Sequence, residues 1–161
     1  MDFKDRIEML LTLPDLYEES LVSRIDTDHH IRPISSVAEA FDGSLKTIKV
    51  EELERVFREV QLETVRIKKE TGHDGPCNAH LFWAVAGAPS FRLHEDPYDI
   101  LLKCVYGKKT IEIGGEVITL DPIYNPTVWI PAGVMHRATN EFESIMISFG
   151  NEQFLEDRWQ L

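Results

Sequence analysis

The stretch SFRLHEDPYDILLKCVYGKKTIEI, residues 90–113, carries the pattern that decides the fold. Its apolar runs are short, and turn signals such as Pro97 and Gly107 separate them. This punctuation predicts strands over 90–96, 98–106 and 108–113. Alternate side chains of a strand point to the same face, so we expect His94 and Asp96 to lie side by side on one face.

The same pattern continues on both sides of this stretch. Short apolar runs between turn signals predict further strands over 62–69, 78–86, 116–120, 127–130, 135–139 and 143–149. Many short strands with regular punctuation are typical of an antiparallel barrel or sandwich. The sequence therefore predicts a mainly β fold.

The N-terminal part follows a helical period instead. One apolar face consists of Phe3, Ile7, Leu10 and Leu11, in a helix that Asp2 caps and Pro14 ends or interrupts. A second run at helical spacing consists of Val50, Leu53, Val56, Phe57 and Val60. A short helix is predicted near Val37–Phe41. We predict a single domain over residues 1–161, with 1–60 mostly helical, a barrel over 62–150, and a helix or docking arm at 151–161.

Composition and charge narrow the class of protein. The chain has 161 residues, and 43% of them are apolar, which is enough to bury a core. A formal net charge of −11 argues against general nucleic-acid binding. No signal peptide and no apolar run of roughly 18 residues is present, so we expect a cytoplasmic protein without membrane contact. Cys104 is expected to be a buried free thiol. The oligomeric state stays open, although barrels of this type often pair as homodimers.

Three residues form a candidate metal site. His94 and Asp96 can bind one ion from the same strand, and His136 is the best candidate for the third ligand. Two histidines and one carboxylate leave coordination positions open, which suits non-haem Fe(II). A structural zinc site would instead be closed by four protein ligands. The alternative is that His94 and His136 are unrelated core or surface residues.

Residues 131–140, PAGVMHRATN, resemble the second motif of the cupin superfamily, PxGxxHxxxN. This resemblance places His136 at a metal-ligand position. The motif has a glycine where this chain has Asn125, a residue that tolerates the same left-handed backbone. The fold that the resemblance implies is a double-stranded β-helix, the cupin or jelly-roll barrel, with N-terminal helices added.

The HxD pair followed by a distal histidine is similar to the 2-oxoglutarate-dependent oxygenases, above all the Jumonji C hydroxylases. The resemblance covers roughly residues 78–151 and implies Fe(II) as the metal and 2-oxoglutarate as cosubstrate. It also implies that Lys109 pairs with the far carboxylate of 2-oxoglutarate and that Asn151 belongs to the cofactor-binding site. Phe91 departs from the family, which has a threonine at this position.

The position of Lys109 in the sequence predicts a binding role independently of the family resemblance. In the run KKTIEI it shares a face with Ile111 and Ile113, so we expect it to point into the barrel. A buried ammonium without a counter-anion is costly, and a dicarboxylate reaching from the metal would supply one. The alternatives are a register that places Lys108 inside, or a carboxylate of the protein as the partner.

Two further residues have open roles. Arg92 shares the face of His94 and is a candidate for binding a substrate or cofactor anion, or else a structural partner of Asp99 or Glu95. His80 lies on a strand-like run, where a core or surface position is favoured over one that lines the cavity.

The function that follows is an Fe(II)- and 2-oxoglutarate-dependent oxygenase, a hydroxylase or demethylase. The catalytic residues would be His94, Asp96 and His136. The alternatives are a cupin metalloenzyme that does not use 2-oxoglutarate, such as a dioxygenase or isomerase, and a cupin that binds a metal or ligand without catalysis. The expected substrate is a small molecule or an exposed peptide residue.

Overall fold

A computed structural model describes residues 1–152, and its strands form two antiparallel sheets. The strands are β1 Val22–Ile25, β2 Ile31–Pro33, β3 Thr47–Val50, β4 Cys77–Ala84, β5 Ile100–Gly107, β6 Lys109–Ile113, β7 Glu116–Leu120, β8 Thr127–Ile130, β9 His136–Thr139 and β10 Ser144–Asn151. The larger sheet has the order β2-β1-β3-β4-β10-β5-β8, and the smaller has β7-β6-β9. The helix or docking arm expected for the tail falls mainly on residues 153–161, outside the described residues.

The helices of the described chain lie in its N-terminal half. They are α1 Phe3–Leu10, α2 Pro14–Glu18, α3 Val37–Ala40, a 3-10 turn Leu53–Arg55, and α4 Arg58–Thr71. The predicted cap of α1 is confirmed, because the Asp2 carboxylate accepts a hydrogen bond from Asp5 N at 2.8 Å. The break at Pro14 and the short α3 are confirmed as well. None of the helices in residues 1–152 is long and apolar enough to cross a membrane.

Residues 1–60 are less helical than predicted. The strands β1, β2 and β3 lie here and extend the larger sheet from β4. Each has only three or four residues, too few for a period of two to emerge from the sequence. The predicted helix from Val50 to Val60 is also wrong. Val50 ends β3, and Glu52 has a φ of 55°, a left-handed conformation that no right-handed helix continues through.

The predicted strand over 62–69 is wrong, because these residues belong to α4. The buried residues of this helix are Val60, Thr64 and Ile67. They follow a helical period, but the pattern is masked because Leu62 and Val65 are 55% and 58% exposed on the other face. The β-branched residues of the run also favour a strand by local preference, and packing against β4 overrides that preference.

The predicted strands from 78 onward are confirmed within two residues at each end, apart from 90–96. The larger sheet packs one face against the helices in a core that includes Ile7, Leu11, Ile67, Leu81, Ile147 and Phe149. Its other face meets the smaller sheet in a second core of Ile100, Leu102, Cys104, Ile111, Leu120, Ile130 and Met146. Cys104 is a buried free thiol, as predicted. Two facing sheets around an apolar interior form the predicted barrel.

Gly107 carries the chain from the larger sheet into the smaller one. It ends β5 with a φ of 71°, which glycine adopts without steric cost. A Cβ at this position would collide with the backbone carbonyl oxygen of Glu143. The crossing therefore needs glycine, and it sets the register that turns Lys109 toward the interior.

We expect Gly107→Ala to lower the free energy of unfolding by roughly 3 kcal/mol or more, because left-handed strain of about 1–2 kcal/mol is joined by a backbone collision. Gly115→Ala is the matched control, since Gly115 has a φ of 88° and open space around its would-be Cβ. Gly115→Ala should therefore lower the free energy of unfolding only by the left-handed strain, about 1–2 kcal/mol. Urea unfolding measures the free energy of unfolding of both variants. Equal losses of stability in the two would contradict the close approach of Glu143 O to Gly107.

Candidate metal centre and cavity

A cavity of about 620 Å³ lies between the two sheets. The larger sheet contributes a row of cross-strand neighbours, in which Lys49 on β3 faces Phe82 on β4 and Phe82 faces Met146 on β10. The smaller sheet contributes Lys109 and Ile111 from β6. Polar and apolar groups therefore meet in one concave space that is open on one side, which is the general form of a ligand site.

The structure brings the three predicted metal ligands together at this cavity. Asp96 Oδ2 lies 3.2 Å from His136 Nε2 and 3.7 Å from His94 Nε2. One potential ligand atom from each residue lies within 4.8 Å of the others. Among the described residues, this is the only group of His, Cys, Asp and Glu side chains gathered so closely.

Backbone pairing explains the convergence. His94 N donates to His136 O at 3.0 Å, and His136 N donates to His94 O at 2.8 Å. This bridge holds the segment before β5 against the start of β9. The predicted strand over 90–96 is wrong, since His94 alone makes a bridge there. His94 and Asp96 nevertheless share the expected face, because both line the cavity.

Each histidine is oriented through its other ring nitrogen. His94 Nδ1 lies 2.6 Å from Arg92 O, and His136 Nδ1 lies 2.9 Å from Val134 O. A carbonyl oxygen only accepts, so each Nδ1 carries the hydrogen and each Nε2 is left to bind an ion. The hydrogen bond that protonated His136 donates to the Asp96 carboxylate raises the pKa of His136, against the opposing effect of burial. A bound cation would displace that proton.

The donor set fits a divalent ion with open coordination positions. It offers two imidazole nitrogens and a carboxylate, and no cysteine joins the group. His136 is 8% exposed, while His94 and Asp96 are 37% and 24% exposed at their side chains. The buried His136 would thus hold the ion from within the barrel, while the more exposed His94 and Asp96 would leave it accessible to a ligand in the cavity. Such a set suits Fe(II) better than structural zinc.

Lys109 points into the cavity and is 2% exposed. Its predicted inward orientation is confirmed, and Lys108 is exposed on the other face. Nζ donates a hydrogen bond to Asn140 Oδ1, and within residues 1–152 no carboxylate pairs with it. Burial lowers the pKa of Lys109 from 10.5 to about 8. The site therefore contains a desolvated cation whose partner is a neutral amide.

Asn140 is a residue that sequence reasoning missed, although it closes the PxGxxHxxxN motif. Its Nδ2 donates to Ala88 O at 2.8 Å, and its backbone oxygen accepts from Gly87 N at 2.7 Å. Asn140 thus joins Lys109 to the segment that leads into His94. Its position in the motif marks Asn140 as a candidate residue, but only the fold shows that its amide contacts Lys109 and Ala88.

The structure corrects the expected cofactor contact of Asn151. Along β10 alternate side chains face the interior, and Ser148 and Gly150 line the cavity. Asn151 has the opposite parity and faces α4, where its Nδ2 donates to Thr71 Oγ1 at 3.1 Å. The spacing of Asn151 from His136 is the one that the resemblance requires, but its position on β10 turns its side chain away from the cavity.

Arg92 lies at the cavity as expected. Its guanidinium is exposed and pairs with neither Asp99 nor Glu95 among the described residues. Asp99 instead accepts a hydrogen bond from Ala132 N at 2.9 Å. The structural alternative for Arg92 is therefore not supported.

His80 also lines the cavity, so the favoured interpretation of it as a core or surface residue is wrong. Its Nε2 lies 3.8 Å from Glu152 Oε1. Phe91 lies between Phe82 and His94, with ring centroids 6.1 Å and 5.9 Å apart. The aromatic ring that departs from the family thus stands directly beside a candidate metal ligand.

We expect Asp96→Asn to weaken binding of Mn(II) at least about 100-fold, because it removes the anionic ligand while keeping its shape. Glu95→Gln is the control, since Glu95 is exposed and lies outside the triad. Calorimetry with the two variants measures the difference. If Asp96→Asn kept its affinity for Mn(II), the metal would have to bind at a different site.

The buried ammonium of Lys109 makes stability depend on pH. Because the folded state lowers its pKa to about 8, the unfolded chain binds the extra proton between pH 8 and 10.5, and stability rises with pH there. Relative to Lys109→Met, the ligand-free wild type should gain roughly 3 kcal/mol from below pH 8 to above pH 10.5. Parallel urea-unfolding profiles of the two proteins would contradict a desolvated, unpaired Lys109.

No protein-family model matches the chain, and none of the curated proteins matches it significantly. Among solved structures the fold is similar to YcfD, a ribosomal oxygenase from Escherichia coli, at 16% identity over 96% of this chain and 44% of that chain, with a TM-score of 0.69. A structure of YcfD in complex with cobalt and succinic acid gives 15% identity, 91% and 42% coverage and a TM-score of 0.63. An RmlC-like cupin from Shewanella frigidimarina gives 20% identity, 48% and 68% coverage and a TM-score of 0.42.

The chain spans less than half the length of YcfD. At 15% to 16% identity the likeness to YcfD concerns the fold, and it agrees with the two facing antiparallel sheets. The chain therefore folds as a cupin-type, double-stranded β-helix barrel with added N-terminal helices.

Proposed function

We propose that the protein is an Fe(II)- and 2-oxoglutarate-dependent oxygenase that hydroxylates or demethylates its substrate. One observation carries the choice of cosubstrate. Lys109 is a buried cation that has no carboxylate partner within residues 1–152, and it opens onto the same cavity as the metal triad. A dicarboxylate that binds the metal at one end and Lys109 at the other satisfies both groups.

The residues of the chain have separate tasks in this proposal. His94, Asp96 and His136 would hold the ion and leave positions free for cosubstrate and O₂. With both bound, the iron and 2-oxoglutarate supply the oxidising chemistry, in which the cosubstrate becomes succinate and CO₂ and one oxygen atom goes to the substrate.

Lys109 would bind the far carboxylate, and Asn140 positions it before the ligand arrives. The hydrogen bond to Asn140 Oδ1 fixes the ammonium in place, since Nδ2 of the same amide is anchored on Ala88 O. Ile111 and Met146 exclude water from this part of the cavity. A charge-assisted contact in such surroundings is stronger than one in water.

A solved structure of another protein with a similar fold also supports the proposal. YcfD is a ribosomal oxygenase, and one of its structures contains cobalt and succinic acid. Cobalt is a divalent metal, and succinic acid is the dicarboxylic acid that a 2-oxoglutarate-dependent oxygenase releases. The fold is therefore compatible with this pair of ligands, while the substrate of YcfD is not transferred to this chain.

We expect Lys109→Ala to weaken binding of the inert analogue N-oxalylglycine to the Mn(II)-loaded protein by about 30-fold or more, because a buried charge loses its partner. Lys108→Ala is the matched control, since it removes the neighbouring, exposed ammonium. Mn(II) affinity should stay unchanged in both variants. Calorimetry gives the binding constants, and succinate formed by the iron-loaded wild type gives the activity.

The outcomes separate the proposed function from its alternatives. Metal binding without N-oxalylglycine binding and without succinate would contradict the use of 2-oxoglutarate. If Lys109→Ala then kept its activity on another substrate, the protein would be a cupin metalloenzyme of a different kind.

A further inference from the structure

We infer that the substrate of this cavity is a small organic anion with an apolar, preferably aromatic, body, and that Arg92 and Lys49 hold its anionic group. The inference rests on the proposed function for the place of 2-oxoglutarate, between the metal and Lys109. It concerns the remaining part of the cavity.

The cavity has room for a second molecule. Its volume of about 620 Å³ lies in the range of sites that enclose a whole drug-sized ligand. A five-carbon dicarboxylate between the metal and Lys109 occupies only a part of such a space. Lys49, Phe82, Phe91 and Arg92 also line this cavity, and they are the side chains left for a substrate once the triad and Lys109 hold the dicarboxylate.

The charge of the cavity lining is opposite to that of the whole chain. The chain has a net charge of −11, yet within residues 1–152 the cavity is lined by three cationic side chains, Lys49, Arg92 and Lys109. The carboxylates among these lining residues are Asp96, which belongs to the triad, and Glu152. A divalent ion, Asp96, Lys109 and a bound dicarboxylate together carry no net charge. Of the remaining cations, Lys49 is paired with Glu51, whereas Arg92 has no carboxylate partner among residues 1–152, so an anion is favoured beside Arg92.

The carboxylate of Glu152 is engaged by its own neighbours. Asn78 Nδ2 donates to Oε2 at 2.8 Å, and His80 Nε2 lies 3.8 Å from Oε1. These contacts hold the Glu152 carboxylate against β4, whereas Arg92 lies in the segment before β5. An anion is therefore favoured beside Arg92 rather than beside Glu152.

Arg92 and Lys49 are suited to receive an anionic group. Arg92 pairs with no carboxylate among residues 1–152, and its planar guanidinium can hold a carboxylate or phosphate through two parallel hydrogen bonds. Lys49 is 16% exposed at its side chain, and in the described part of the chain its one carboxylate neighbour is Glu51, at 3.4 Å. An ammonium has three donors, so Lys49 can bind a second anion beside Glu51.

Aromatic rings supply the apolar part of this lining. Phe82 and Phe91 meet edge to face, and Phe91 contacts the ring of His94. Lys49 Nζ lies 5.8 Å from the centroid of Phe82. A flat apolar body packed on Phe91 would thus place its C–H groups near the metal while its anionic end reaches the two cations.

The test uses small aryl probes with the Mn(II)-loaded protein and saturating N-oxalylglycine. Benzoate and phenyl phosphate supply the two anionic groups, and benzylamine is the cationic counterpart of the same size. Paramagnetic relaxation of the ring protons by Mn(II) reports both affinity and proximity to the metal. We expect the better anion to bind at least tenfold more tightly than benzylamine, with its ring protons relaxed. Benzylamine binding as tightly as both anions would overturn the inference.

Variants locate the binding groups. Arg92→Gln and Lys49→Gln should each weaken binding of the better anion about tenfold and leave N-oxalylglycine binding unchanged. Lys108→Gln, which removes an exposed cation outside the cavity, should change neither. Anion binding that is indifferent to both cavity variants would contradict the assignment.

Failure of the proposed function can be distinguished from failure of this inference. If N-oxalylglycine does not bind the Mn(II)-loaded protein, the proposed function fails, and the probes are then titrated into Lys109→Ala without the analogue. Anion binding that still requires Arg92 would support the inference, and its absence would overturn it.

Discussion

Two backbone hydrogen bonds between His94 and His136 hold the candidate site together. They join a segment that is otherwise outside the sheets to the first residue of β9, and so they place the ligands of two distant stretches side by side. The carbonyls of Arg92 and Val134 orient both imidazoles toward Asp96, so that the ligand-binding nitrogens converge before any ion arrives. Metal affinity in such a site depends on this preorganisation as well as on the ligands themselves.

The second constraint is the cost of a buried charge. Lys109 is almost fully buried, its hydrogen-bond acceptor within residues 1–152 is the neutral amide of Asn140, and its lowered pKa reflects the cost of burying the charge. In the proposed function a dicarboxylate compensates this charge, and its other end binds at the triad in the same cavity. Asn140 couples the two ends, because its amide contacts Lys109 on one side and the segment leading to His94 on the other.

The parts of the fold that the sequence predicts well are those with long, regular patterns. Strand parity correctly placed Lys109 inside, and it placed His94 and Asp96 on one face although their segment is not a strand. The same parity turns Asn151 toward α4, which its spacing alone could not reveal. The strands β1 to β3 are too short to show a period, and the exposed Leu62 and Val65 concealed α4. The approach of His80 to the cavity depends on pairing between β4 and β10, a long-range contact that no local pattern contains.

The central claim is that the triad and Lys109 bind the two ends of one dicarboxylate. A crystal structure of the protein with Mn(II) and N-oxalylglycine tests it most directly. The account predicts the ion on Nε2 of His94 and His136 and on the Asp96 carboxylate, with the far carboxylate of the analogue hydrogen-bonded to Lys109 Nζ. An ion bound elsewhere, or an analogue that leaves Lys109 in contact with Asn140 alone, would contradict it.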